Sequence, residues 1–70
     1  MAALIVHTKA QRAAAAASIT ARAAVRRGLV PLAVMFAADQ AMRRVLHDGQ
    51  SVAGAVAAVR KSMCAAGGAA

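Results

Sequence analysis

Acidic residues are almost missing from this chain: Asp39 and Asp48 stand against nine Lys and Arg among 70 residues, for a formal charge of +7. A general acid/base pair needs two titratable groups held in one cleft. The two Asp are nine residues apart, which on one continuous helix turns them to different faces. Carboxylate catalysis therefore has no basis in the sequence. Cysteine is as scarce. Cys64 is single, which excludes an intramolecular disulfide and a Cys-based zinc framework and makes a reducing compartment the expectation. Trp and Tyr are lacking and Phe36 is the sole aromatic residue, so the stacking platforms that hold single-stranded nucleic acid are excluded. Long apolar runs are missing too. The longest spans residues 28–38, between Arg27 and Asp39; as a helix it reaches about 16 Å, against the ~30 Å of a bilayer core. Extending it would bury Asp39. A buried or interfacial helix is expected in place of a membrane span.

Bulk is the last shortage. The apolar fraction is 61%, but about a third of the chain is Ala, whose methyl buries little area. A core of this kind is thin, and the sequence predicts that copies of the chain or a larger assembly complete it.

What is present is helical punctuation. Thr8-Lys9-Ala10-Gln11 fits the S/T-x-x-E/Q capping box, in which each side chain satisfies a backbone N–H that a helix start leaves orphaned. No Pro or Gly follows before Gly28, and Ala has the highest helix propensity. Gly28 suits the left-handed position after a helix end, with Arg26 and Arg27 in a last turn that favours cations. Pro31 suits the first residue of the next helix. Asp48-Gly49 should end that helix, and Ser51 should cap a third, which Gly54 weakens. The expected fold is all-α, with helices at about 9–27, 31–47 and 52–65 in one small basic domain. Short connections favour antiparallel neighbours. Residues 1–7 read as an apolar head and 66–70 as a flexible tail.

Helical spacing then assigns the faces. Along the first helix Ala10, Ala13, Ala14, Ala17, Ala21, Ala24 and Gly28 form a seam of small residues that lets another backbone approach. In the second, Val34, Met35, Ala38, Ala41, Met42, Val45 and Leu46 recur at i, i+3, i+4, i+7 spacing as a packing stripe. In the third, Val52, Ala55, Val56, Val59 and Met63 share one face. The expected packing interface is thus Ala10, Ala13, Ala17, Ala21, Ala24, Val34, Met35, Ala38, Met42, Val45, Leu46, Val56, Val59 and Met63.

Motifs that carry chemistry are few. His7 and His47 have no ligand-spaced partners beyond Asp48, so no metal site is expected. Ser18, Ser51 and Ser62 lack a nucleophile setting, and no glycine pattern forms a phosphate loop. Residues 43–60 have the outline of a helix-turn-helix, yet the second helix offers Val, Ala and Gly where base readout needs Asn, Gln or Arg.

The basic residues stand out. Lys9, Arg12, Arg22, Arg26 and Arg27 fall within the first thirty residues, where no acid occurs, and Arg60 and Lys61 follow on the third helix. Phosphate neutralisation needs charge and reach but no motif. The sequence therefore leads to a non-enzymatic assembly protein without cofactor or small-molecule substrate. Its cationic side meets a polyanion, foremost nucleic acid without sequence preference, and its Ala, Val and Met faces pack with copies or partners. The alternative is a small accessory subunit of a membrane-associated or organellar complex. Residues 1–28, rich in Ala and Arg with hydroxyl residues and no acid, look like a transit segment, and such a helix could also lie on an anionic membrane surface.

Overall fold

Each helix begins and ends where local hydrogen bonding lets it. A computed structural model describes the backbone of residues 7–68 and the side chains of residues 7–64; within them the chain forms α1 (Lys9–Arg26), α2 (Pro31–Leu46) and α3 (Val52–Gly68), with no strand among the described residues. The all-α three-helix architecture is the one expected.

The capping box is formed in full. Gln11 N–H donates to Thr8 Oγ1 at 3.1 Å and Thr8 N–H donates to Gln11 Oε1 at 2.8 Å. At the other end of α1, Gly28 has φ 80°. The Leu29 N–H reaches back to Ala24 O at 3.1 Å and the Gly28 N–H to Val25 O at 2.9 Å. This is the Schellman closure, and it needs a residue without Cβ at the left-handed position. Pro31 opens α2 behind an extended Val30 (ψ 154°) that offers no side-chain cap. Gly49, at φ 69°, ends the α2 turn, and Ser51 Oγ accepts from Gly54 N–H at 3.0 Å to start α3. The third helix continues to Gly68, three residues past the expected end and into the expected tail, because Ala65 and Ala66 are good helix formers and no Pro follows. Of the expected apolar head, only His7 lies within the described residues.

Two contacts fix the up-down-up order. Lys9 Nζ donates to Leu46 O at 3.4 Å, joining the start of α1 to the end of α2. Arg27 Nη2 donates to Cys64 Sγ at 2.7 Å, joining the end of α1 to the last turns of α3. One pole of the bundle therefore gathers Thr8, Lys9, His47 and Ser51. The opposite pole is the α1–α2 corner, residues 25–36.

The core is built from methyl groups. Among the described residues the buried apolar ones are Ala13, Ala16, Ala24, Ala37, Ala41, Val45, Ala55, Val56, Val59 and Met63, joined by Thr20, and they include no Leu, Ile or Phe. On α1 the buried positions are 13, 16, 20 and 24, a line turned toward Ala16 and away from the expected seam. Ala10 and Ala14 are exposed, and Ala17 and Ala21 only half-buried. On α2 the buried line is Ala37, Ala41 and Val45. Val34, Ala38, Met42 and Leu46 are half-buried at its side and Met35 is exposed. Relative to the expected stripe the helix is rotated by roughly 60°, given 100° per residue. The physical reason is steric. An alanine line on α1 packs most closely against another line of small side chains, so Ala37 turns inward and the bulk of Met35 turns out.

Candidate functional site

Two surfaces carry the residues from which function can be argued, one cationic and one apolar. The cations divide by position. On α1, Arg22 and Arg26 are one turn apart, and Arg12 lies about 40° around the axis from Arg26, so the three form one stripe about 21 Å long. All three are exposed. Arg12 also donates to His7 O at 2.6 Å, which steadies its side chain while leaving the charge unpaired. Lys9 and Arg27 sit at the two ends of α1 and reach across to α2 and α3, on a carbonyl oxygen and a thiol. Arg60 and Lys61 are exposed on α3; Arg60 flanks its buried face and Lys61 lies opposite to it. The structure therefore brings Arg12, Arg22 and Arg26 together and leaves the other four as separate points around them.

Charge compensation is slight. Among the described residues the one salt bridge is Arg43 Nε to Asp39 Oδ2, at 2.9 Å on the surface of α2. Among the described residues no carboxylate meets any other Lys or Arg, including Arg44, which spacing alone did not single out. A shallow depression lined by Phe36, Asp39, Gln40, Arg43, Arg44 and Asp48 mixes both signs of charge and so gives no net attraction for an anion.

The apolar surface is at the corner. Val25, Val30, Leu32, Met35 and Phe36 are exposed, Leu32 at 76% and Phe36 at 65%. Val30, Leu32, Ala33, Met35 and Phe36 line one shallow concavity. It shares Ala33 and Phe36 with a groove of about 420 Å³ between α2 and α3, lined also by Leu29, Ala37, Gln40, Val59, Ser62 and Met63. Sequence reasoning missed this surface. The signal that could have found it is the mismatch in size between the alanine seam of α1 and the bulky first half of α2.

The packing residues expected from spacing are distributed accordingly. Ala13, Ala24, Val45, Val56, Val59 and Met63 are buried inside the chain. Ala17, Ala21, Val34, Ala38, Met42 and Leu46 lie at its edges, while Ala10 and Met35 face outward. No group of three or more His, Cys, Asp or Glu among the described residues comes together in a way that could hold a metal ion. No helix among them is long and apolar enough to cross a membrane.

No family model, curated protein or solved structure matches the chain. Its function is therefore argued from these two surfaces.

Proposed function

We propose that the chain is a non-enzymatic interaction protein that binds nucleic acid without reading its sequence. The Arg12–Arg22–Arg26 stripe supplies the principal phosphate contacts, with Arg60 and Lys61 extending the cationic surface. The observation that carries this reading is the imbalance: Arg43 alone has a carboxylate partner among the described residues, and the remaining cations stand on or at the ends of folded helices. Ordered cations lose less conformational entropy on meeting phosphates than cations on a disordered tail do. The helix faces left at the bundle's edges, Ala10 with Ala14, Ala17 and Ala21, give copies or partners a close-packing surface. Assembly would multiply the number of phosphates engaged.

Mobility shift with random-sequence duplex DNA and RNA at two salt concentrations tests it. Each phosphate neutralised contributes a slope of about −0.9 to the logarithm of affinity against the logarithm of salt. Arg22→Gln should lower affinity for every sequence alike and reduce the slope by about one, with the melting curve unchanged. Affinity that is insensitive to salt, or to Arg22→Gln together with Arg26→Gln, would overturn the reading.

A further inference from the structure

We infer that the α1–α2 corner is an anchor for an anionic lipid surface, a site that shares Arg22 and Arg26 with the nucleic-acid stripe and differs from it in its exposed apolar side chains. Five of the six large apolar side chains that the described part of the chain exposes lie between residues 25 and 36: Val25, Val30, Leu32, Met35 and Phe36. They flank the closed end of α1 and the first turns of α2, so they belong to regular helices and their junction. Gly28 closes α1 and Pro31 opens α2, which makes the corner a tight, fixed turn that presents them together.

Charge selects the occupant. Arg22, Arg26 and Arg27 are exposed beside the corner, and the first acid in the chain, Asp39, lies one turn past Phe36 and is already paired with Arg43. A second copy docking corner to corner would set these arginines against their own kind, and the nearest carboxylate on either side, Asp39, is already neutralised by Arg43, an arrangement that disfavours association. A nucleic acid would answer the arginines but leaves Leu32 and Met35 in water. An anionic bilayer surface answers both. Its headgroup phosphates meet the guanidinium groups while the acyl boundary takes up the apolar side chains, the combination that holds monotopic elements at membranes. With no described helix able to cross the bilayer, the corner enters the interface only and the rest of the bundle stays outside.

The test is co-sedimentation of the full chain with vesicles of phosphatidylcholine and phosphatidylglycerol in equal parts, beside vesicles of phosphatidylcholine alone. The chain should bind the mixed vesicles and leave the neutral ones. Leu32→Ser combined with Phe36→Ser should reduce partitioning tenfold or more, with the helical fold retained because both side chains are mostly exposed, and should leave duplex-DNA affinity as it was. Arg26→Gln should reduce vesicle binding about fivefold. Failure of the parent chain to bind mixed vesicles overturns the proposal. So does vesicle binding that survives the Leu32→Ser and Phe36→Ser exchange, which would make it a charge effect shared with nucleic acid. Light scattering that shows these same exchanges dissociating an oligomer, with no vesicle binding by the parent, assigns the corner to a second copy and overturns it equally. Loss of DNA binding with vesicle binding intact would instead count against the nucleic-acid reading alone.

Discussion

The two poles of this bundle are built on opposite terms. At the pole of Thr8, Lys9, His47 and Ser51, helix ends are met by side chains: Thr8 and Gln11 cap α1, Ser51 caps α3, and Lys9 reaches the last carbonyl of α2. At the α1–α2 corner the closing hydrogen bonds come from the backbone alone, around Gly28 and Pro31, and large apolar side chains stand in water. The polar pole is locally complete. The corner is complete in its backbone and incomplete in its side chains, and that difference locates the surface on which a partner would change most.

The comparison can be broken most forcefully at the seam that joins the poles. Ala16 is fully buried where α1 enters the core, so Ala16→Leu should overpack it and cost about 1–3 kcal/mol. By circular dichroism this is a fall in melting temperature of about 4–8 °C for each kcal/mol in a domain of this size. Ala14→Leu, two residues away and exposed, should leave melting almost unchanged. A next smaller effect lies at the polar pole. Ser51→Ala removes the oxygen that accepts from Gly54 and should cost about 1 kcal/mol, whereas Val30 at the corner gives no side-chain cap, so Val30→Ala should cost less than that. A last effect, no larger than that of Ser51→Ala, has the opposite sign. Thr20 is fully buried and its Oγ1 has no hydrogen-bond partner; Thr20→Val keeps the shape, removes the unpaired hydroxyl and should raise stability by about 1 kcal/mol, measured as a shift to higher melting temperature.

Much of the fold could be read from residues in sequence because it rests on local hydrogen bonds. Thr8 with Gln11, Gly28 with Pro31, and Gly49 with Ser51 mark the helix ends through chemistry that acts over three or four residues. The buried face of α3 was equally open to reading, since Val56, Val59 and Met63 are its bulky residues and there bulk turns inward. On α1 alanines lie on nearly every side of the helix, so spacing could not separate Ala13 and Ala16 from Ala10 and Ala14, and it did not bring Thr20 into the packing face. On α2 the assumption that bulk is buried placed Met35 inside. The outcome depends on the small side chains of a helix distant in sequence, which is information that no local window contains. The same limit applies to the cations. Their identity was plain, but that Lys9 and Arg27 reach other helices while Arg12, Arg22 and Arg26 line up outside depends on tertiary register.

The most direct test of the account is whether the bulk of α2 is in water. The chain contains no Trp, so Phe36→Trp installs a single fluorescent reporter at the corner. In dilute, monomeric protein it should emit as a water-exposed indole and be quenched freely by acrylamide, and on mixed anionic vesicles its emission should move to shorter wavelength and become protected. A reporter that is blue-shifted and shielded in the dilute monomer would place the bulk inside and contradict the account.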